Sequence, residues 1–179
     1  MAESRQGRKN VAHRGNGGKP MWVSIQPRRG GTVSHTFSRN HVHVVFSTKN
    51  RLKTIPREFQ ARLWAYLAGI GKNSEMIVLA VGGTENHVHL LFHLPPKLAL
   101  AKAVLLLKAN SSKWMADQGG VFSWQEGYGA FSVSSSNLAQ VIRYIRNQDT
   151  HHRKLTFEQE FQTLLRRHGV DYDPKHVFG

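Results

Sequence analysis

Two histidines in the middle of the chain, His87 and His89, are the residues whose type and spacing point most directly to chemistry. They lie in a run of branched and aromatic residues over 86–92, which predicts a β-strand whose side chains alternate between two faces. The two imidazoles would then share one face, about 7 Å apart along the strand. They could bind one divalent metal from the same side, provided that a third ligand and a nucleophile come from elsewhere.

An earlier stretch repeats this pattern and supplies a rival metal pair. Residues 40–46 read Asn-His-Val-His-Val-Val-Phe, and residues 86–92 read Asn-His-Val-His-Leu-Leu-Phe. His41 and His43 are therefore competing ligands. If the two strands are neighbours, His43 could instead support the main site from behind the ligands.

A helix predicted over 137–150 carries the other chemical candidates, and Ser135 or Ser136 is expected to cap it. Its apolar residues recur at helical spacing and predict one buried face. Tyr144 and Gln148 lie one turn apart along the edge of that face. Tyr144 could offer a phenolate nucleophile and Gln148 an oxygen ligand, although a hydrogen-bonded tyrosine at the core boundary would produce the same pattern.

The charge balance indicates a polyanionic partner. The 179 residues include 25 Lys and Arg against 11 Asp and Glu, a net charge of +14 and a pI near 10.7. Such an excess is typical of nucleic-acid binding. The absence of cysteine excludes a disulfide framework and a zinc-thiolate site. The sequence shows neither a signal peptide nor an apolar run near the ~18 residues of a membrane span, so we expect a cytoplasmic protein.

The chain divides into a basic, Gly-rich extension over 1–34 and a single domain over 35–179. The extension has no sustained periodicity, which favours disorder. It could be a basic arm that contacts phosphates. A start codon placed too far upstream, with Met21 as the true start, explains it equally well. The remaining residues keep a net charge of +8.

The elements predicted within this domain follow a recognisable order. Strands are expected over 41–48, 76–81 and 87–93, with a short one within 124–133, and helices over 56–72, 97–117, 137–150 and 156–168. This β-α-β-β-α-β order with two further helices is typical of an α+β, ferredoxin-like fold. We expect an antiparallel-rich sheet with helices on one face.

Several motifs, taken together, resemble a known family. The pair His87-Val88-His89 is followed by Trp-Gln-Glu-Gly-Tyr-Gly-Ala-Phe-Ser over 124–132, by Tyr-Ile-Arg-Asn-Gln over 144–148 and by His-His-Arg-Lys over 151–154. In this order they resemble the single-tyrosine HUH transposases of bacterial insertion sequences, the insertion-sequence-200 type. The resemblance runs from about residue 35 to the C-terminus.

The resemblance implies a specific role for each of these residues. His87, His89 and Gln148 would hold Mg²⁺ or Mn²⁺, and Tyr144 would attack single-stranded DNA, often folded into hairpins at transposon ends. The products would be a 5′-phosphotyrosine link and a free 3′-hydroxyl. A homodimer would bring the tyrosine helix of one subunit to the histidine strand of the other. In this family the metal-binding histidines lie two strands after the first helix. Because only the copy over 86–92 has that position, the resemblance assigns the metal to it.

Further roles are assigned from the residues themselves. His43, Glu85 and Asn86 are possible supports for the metal ligands, and Glu85 could also be an added carboxylate ligand. His93 is expected at the strand end without a metal contact, and we interpret the rival nucleophile Tyr128 as a turn residue. The predicted DNA contacts are Lys108, Lys113, Arg143, Arg146, His151, His152, Arg153 and Lys154. Two alternatives stay open: an HUH nickase for replication or mobilisation, and a non-catalytic nucleic-acid-binding module of the same fold.

Overall fold

The computed structural model describes residues 36–119 and 121–178, and the predicted extension over 1–34 lies outside them. Its strands are β1 (His41–Ser47), β2 (Ile77–Gly83), β3 (His87–His93) and β4 (Gly129–Ser132). Its helices are α1 (Arg57–Asn73), α2 (Leu100–Asp117), α3 (Leu138–Arg146), α4 (Gln148–His151) and α5 (Phe157–Arg167). The α+β order expected from the sequence is confirmed.

The four strands form one sheet in the order β2-β3-β1-β4, and every neighbouring pair is antiparallel. This is the arrangement expected of the ferredoxin-like fold. In the β1–β3 register, Val45 lies opposite His89 and His43 lies opposite Leu91. His43 and His89 are thus diagonal neighbours on one face, close enough for their side chains to meet.

The two faces of the sheet carry different chemistry. One face is apolar: Val44, Leu90 and Phe92 are fully buried there and belong to the same core cluster as Leu63 of α1 and Leu107 of α2. Alternation along the strands turns the histidines to the opposite face.

The histidine face is covered by the C-terminal helices. Ile145 of α3 packs on Leu91, while Leu164 and Leu165 of α5 pack around Val45. The expectation of helices on one face holds for α1 and α2 and is wrong for the C-terminal helices. The apolar stripes of α3 and α5 find their partners on the second face.

Close packing of α3 on the sheet depends on Gly82. A Cβ at this position would lie 2.1 Å from the backbone oxygen of Ile145, closer than any side chain tolerates. The sequence predicts a strand that ends at residue 81, whereas β2 continues through Gly83. The glycine therefore allows a helix backbone to approach the strand.

The predicted helix over 137–150 is divided in two. Asn147, with φ −102° and ψ 21°, separates α3 from α4. No serine caps α3: residues 135–137 form a 3₁₀ turn, and the hydroxyls of Ser134 and Ser136 lie 2.9 Å apart, bonded to each other. By contrast, α5 begins at a capping box between Thr156 and Gln159.

Within the described residues, no helix is long and apolar enough to cross a membrane.

Candidate active site

A buried polar cluster lies on the histidine face, beneath α3 and α5. The side chains of His87 and His89 have no exposed surface, and Gln148 and Glu160 are 1% and 2% exposed. Among the described residues, Glu160 is the one acidic residue that is buried. Buried polar groups are costly unless they are partnered, so the partners of this cluster define its chemistry.

The carboxylate of Glu160, on α5, lies at the centre of the cluster. Its Oε2 is 3.0 Å from Nε2 of His152 and 3.3 Å from Nε2 of His89. Its Oε1 accepts hydrogen bonds from the amide nitrogen of Gln148, at 3.0 Å, and from the hydroxyl of Tyr144. One acid thus connects strand β3 with the segment from α3 to α5.

Sequence reasoning missed Glu160, although the helix pattern contains a signal for it. Glu160 comes three residues after Phe157 and four before Leu164, on the apolar stripe that predicts α5. A carboxylate on a buried stripe is strongly unfavourable unless positive or hydrogen-bonding groups meet it. An acid at this spacing therefore indicates partners elsewhere in the fold.

Tyr144 and Gln148 meet the histidines of their own chain. The helix breaks between them at Asn147, yet both side chains reach Glu160. The Tyr144 ring lies edge-on to the His89 ring, with centroids 5.7 Å apart. The structure thus brings the predicted nucleophile and the predicted ligands together within one chain.

Asn86 fixes the tautomer of His87. Its amide nitrogen donates to the carbonyl of Arg51 at 3.3 Å, which turns its Oδ1 toward Nδ1 of His87 at 2.8 Å. An amide oxygen only accepts, so Nδ1 carries the proton and Nε2 keeps its lone pair. That lone pair faces Oε1 of Gln148 at 3.3 Å. Two facing acceptors favour a cation between them.

Other nitrogen and oxygen atoms of this cluster could also bind a metal ion. Within the described residues, Nε2 of His89 is buried and makes no hydrogen bond of good geometry, although Oε2 of Glu160 lies 3.3 Å away; the other ring nitrogen lies 3.0 Å from Nε2 of His43. Ligand atoms of His87, His89, His152 and Glu160 all lie within 4.8 Å of one another. Imidazole nitrogens with carboxylate and amide oxygens suit a divalent cation. The residues present therefore fit a divalent metal, with His43 and Asn86 behind the ligands.

Burial sets the protonation states of the imidazoles. Burial, with the charge of His89, holds the pKa of His87 and of His43 well below the ordinary value, which keeps both rings neutral and able to act as ligands. Burial also opposes the charged form of His152. Its hydrogen bond to Glu160 and the charge of that carboxylate nevertheless raise the pKa of His152.

The pKa values of the Tyr144 phenol and the Glu160 carboxylate are shifted in opposite directions. Burial first, and then the charge and hydrogen bond of Glu160, raise the pKa of Tyr144 above its ordinary value. Burial alone would raise the pKa of Glu160, but contacts from His152 and His89 lower it overall. As arranged, the pair holds Tyr144 as a neutral hydrogen-bond donor.

Two predicted residues are engaged away from this cluster. Glu85 pairs with Lys53 at 3.5 Å and Arg57 at 3.4 Å, so the expected support of the metal by Glu85 is not seen. Lys108 donates to the backbone carbonyls of residues 125–127, and burial lowers its pKa. Lys108 therefore holds a turn in place, and its expected contact with DNA stays a prediction.

The rival candidates lie outside the cluster. The His41 ring packs against the His93 ring, with centroids 5.7 Å apart. Neither contacts Glu160 in the part of the chain that the structure describes. Tyr128 is 40% exposed and lines a separate apolar pocket.

The other predicted DNA contacts divide into two groups. His152 belongs to the cluster, and Nε2 of His151 lies 3.4 Å from Oε1 of Glu160. The remaining five are exposed, namely Lys113, Arg143, Arg146, Arg153 and Lys154. Their contacts with DNA stay a prediction.

A cleft of about 670 Å³ opens beside the cluster. Four Lys and Arg residues line it, Lys53, Arg57, Arg153 and Lys154, together with the acids Glu85, Asp149 and Glu158. Asn86 and His152 also line the cleft, which therefore adjoins the metal site, and the excess of Lys and Arg over acids suits a polyanion.

Comparisons with known proteins identify the family of this chain. The family described as "Transposase IS200 like" matches residues 36–148. The transposases for insertion sequence element IS200 of Salmonella typhimurium and Salmonella typhi are each 25% identical over 125 residues, covering 65% of this chain and 82% of theirs.

Two solved structures share the fold. A transposase candidate from Deinococcus radiodurans superposes with a TM-score of 0.52 at 24% identity, covering 66% of this chain and 97% of that one. A REP-associated tyrosine transposase bound to a REP hairpin gives a TM-score of 0.52 at 12% identity, covering 69% and 74%. The family match spans well over half of the residues, so the resemblance is confirmed and the chain belongs to the IS200-like transposases.

Proposed function

We propose that this transposase cuts and rejoins single-stranded DNA at the ends of an insertion sequence, with Tyr144 as the nucleophile. One observation carries the proposal: the Tyr144 hydroxyl donates to Glu160, whose other oxygen lies 3.3 Å from the buried Nε2 of His89. A candidate nucleophile and a candidate metal centre therefore share one carboxylate.

We assign the ligand role to His87, His89 and Gln148, and we add Glu160 as a fourth ligand. A divalent cation bound there, Mg²⁺ or Mn²⁺, would supply Lewis acidity at the scissile phosphate and offset the charge of Glu160. Neutral imidazoles and one amide leave the centre net positive even with one carboxylate. That balance suits an anionic phosphodiester.

The chain's own residues account for the transfer. The Tyr144 oxygen bonds to phosphorus, the bond from phosphorus to the 3′ oxygen breaks, and the departing oxygen takes a proton from water to become a free 3′-hydroxyl. The phenolic proton leaves along the hydrogen bond to Glu160. The 5′-phosphotyrosine conserves the phosphoryl bond, so rejoining can reverse the same step without ATP.

The basic cleft is the proposed path of the strand, with Arg153 and Lys154 on phosphates. Hairpin DNA is part of the proposal because a solved relative of the same fold holds a REP hairpin. A homodimer and a cytoplasmic location on bacterial DNA also belong to it. In the chain described here, Tyr144 meets its own histidines, which favours sites completed within each subunit.

The test uses labelled single-stranded oligonucleotides from the DNA that flanks the gene. Incubation with Mn²⁺ or Mg²⁺ should produce DNA that stays attached to protein on a denaturing gel, and a chelator should abolish it. Duplexes of the same sequence serve as the control and should stay intact. Metal-independent cutting, or cutting without any protein-linked product, would refute the proposal.

A further inference from the structure

A second opening reaches the cluster from the side of Tyr144. This pocket, of about 210 Å³, is separate from the basic cleft. Its polar lining comes from β1, β4, α3 and α5 together with the residues that flank these helices, namely His43, Ser132, Asn137, Gln140, Tyr144, Arg167 and His168. The phenol therefore stands between the pocket and the buried carboxylate.

The pocket is shaped for an anion. Arg167 and the two histidines line it, and among the residues that the structure describes no carboxylate does. Within the described residues, Arg167 forms no salt bridge, whereas Lys53 and Arg57 in the basic cleft share the carboxylate of Glu85. The guanidinium is thus available for a bidentate contact with a phosphate.

The pocket also offers groups that can recognise a base. Asn137 and Gln140, at the start of α3, are exposed, and neither side chain makes a hydrogen bond within the part of the chain that the structure describes. Side-chain amides both donate and accept, as base edges do. Val133, Val141 and Leu164 also line the pocket and provide apolar contact for the flat faces of a base.

The pocket is held in place by aromatic packing. The His168 ring stacks on Phe131 at 4.6 Å, and Phe131 lies against His43 at 6.1 Å. The His43 ring meets Tyr144 edge-on at 6.1 Å. A ligand in this pocket would therefore contact groups that are fixed relative to the nucleophile.

In-line attack decides which nucleotide belongs there. In an in-line displacement, the leaving 3′ oxygen departs on the side of phosphorus opposite to the Tyr144 oxygen, so the nucleotide that carries it moves away from the pocket. The nucleotide attached through its 5′ oxygen stays with the tyrosine after the cut. We propose that the pocket holds this first nucleotide, with Asn137 and Gln140 on its base and Arg167 on its 3′ phosphate; this inference rests on the proposed function.

The first test measures binding, which needs no cleavage. The Tyr144→Phe protein is titrated into a fluorescent dT12 oligonucleotide at several salt concentrations. Arg167→Gln should weaken binding by about tenfold and lower the salt slope by about one phosphate contact. Arg166→Gln removes the same charge one residue away, outside the pocket, and should have a smaller effect on both. Equal effects of the two variants would overturn the inference.

The second test measures base preference at the mapped cut. Substrates with each of the four bases in the first position 3′ of the cut are compared in single-turnover cleavage. The double variant Asn137→Ala, Gln140→Ala should reduce the preference between best and worst base by at least about threefold. Asn110→Ala, on the far side of the sheet, serves as the control and should leave it unchanged. An unaltered preference in the double variant would overturn the assignment of these amides.

The two tests separate this inference from the proposed function. If no oligonucleotide is cut but binding still depends on Arg167 rather than Arg166, the proposed chemistry fails and the phosphate site stands. If DNA is cut through Tyr144 but neither binding nor base preference responds to the pocket variants, the chemistry stands and the pocket assignment fails.

Discussion

The hydroxyl of Tyr144 donates a hydrogen bond to the carboxylate of Glu160 within one chain. The two residues come from α3 and α5, the helices that cover the histidine face of the sheet. His87 and His89 are fully buried beneath them. The nucleophile is thereby placed beside the predicted ligands, and Glu160 links the reactivity of the phenol to the charge in the cluster.

Replacing the strand histidines should remove the metal. His87→Ala or His89→Ala should weaken Mn²⁺ binding by at least about tenfold, because each variant loses a nitrogen ligand at the cluster centre. The rate of metal-dependent cleavage should fall as well. Isothermal titration with Mn²⁺ measures the loss. His41→Ala is the matched control: His41 packs on His93 away from Glu160, so this variant should bind Mn²⁺ like the wild type. The reverse pattern would move the site to the first strand.

Glu160→Gln should impair both metal binding and cleavage, because the amide keeps the shape of the side chain but removes the negative charge that meets His89 and His152. We expect at least a tenfold loss in Mn²⁺ affinity and a larger loss in cleavage rate. Glu158→Gln, on the same helix and paired with Arg51 at 3.0 Å, is the control. Wild-type metal affinity in Glu160→Gln would exclude Glu160 as a ligand.

Asn86→Ala should weaken the metal site without removing a ligand. The tautomer of His87 depends on the 2.8 Å contact between its Nδ1 and the Asn86 oxygen, and losing such a support costs 10–100-fold in metal affinity. Titration with Mn²⁺ again provides the measurement. Asn86→Asp retains an acceptor oxygen and should restore most of the affinity. If Asn86→Ala and Asn86→Asp bind Mn²⁺ with the same affinity, the orientation of His87 does not depend on this contact.

Lys108→Met should destabilise the fold and leave DNA binding unaffected. Its ammonium donates to three backbone carbonyls, and loss of these charge-assisted bonds should lower the free energy of unfolding by about 2 kcal/mol. Urea denaturation measures this change. Lys113→Met, an exposed lysine on the same helix, should change it by less than about 0.5 kcal/mol. A reduced salt slope of DNA binding in Lys108→Met would instead support the contact with DNA expected from the sequence.

Strand and helix periodicity predicted the sheet and most helices, because the apolar residues of β1, β3 and α1 repeat at the spacing that their elements require. The placement of the C-terminal helices was not predictable in the same way. An apolar stripe shows that α5 is buried, but not which face of the sheet it covers. The break at Asn147 also escaped prediction, since no proline or glycine marks it.

The candidate site was predictable where it is local in sequence. His87 and His89 share a strand, and Tyr144 and Gln148 lie one turn apart, so their spacing alone brings them near each other. Glu160 joins them only through tertiary packing. Lys108 could not be distinguished from a lysine on a DNA-binding surface, because its partners are backbone carbonyls, which no side-chain pattern reveals.

The most direct test of the central claim compares the wild type with Tyr144→Phe on single-stranded DNA labelled at its 3′ end or its 5′ end. After incubation with Mn²⁺ and a denaturing gel, we predict that the wild type retains the 3′-labelled piece as a covalent adduct and releases the 5′-labelled piece. Tyr144→Phe should form no adduct while binding DNA within a few-fold of the wild type. An adduct formed by Tyr144→Phe, or one that carries the 5′ label, would contradict the account.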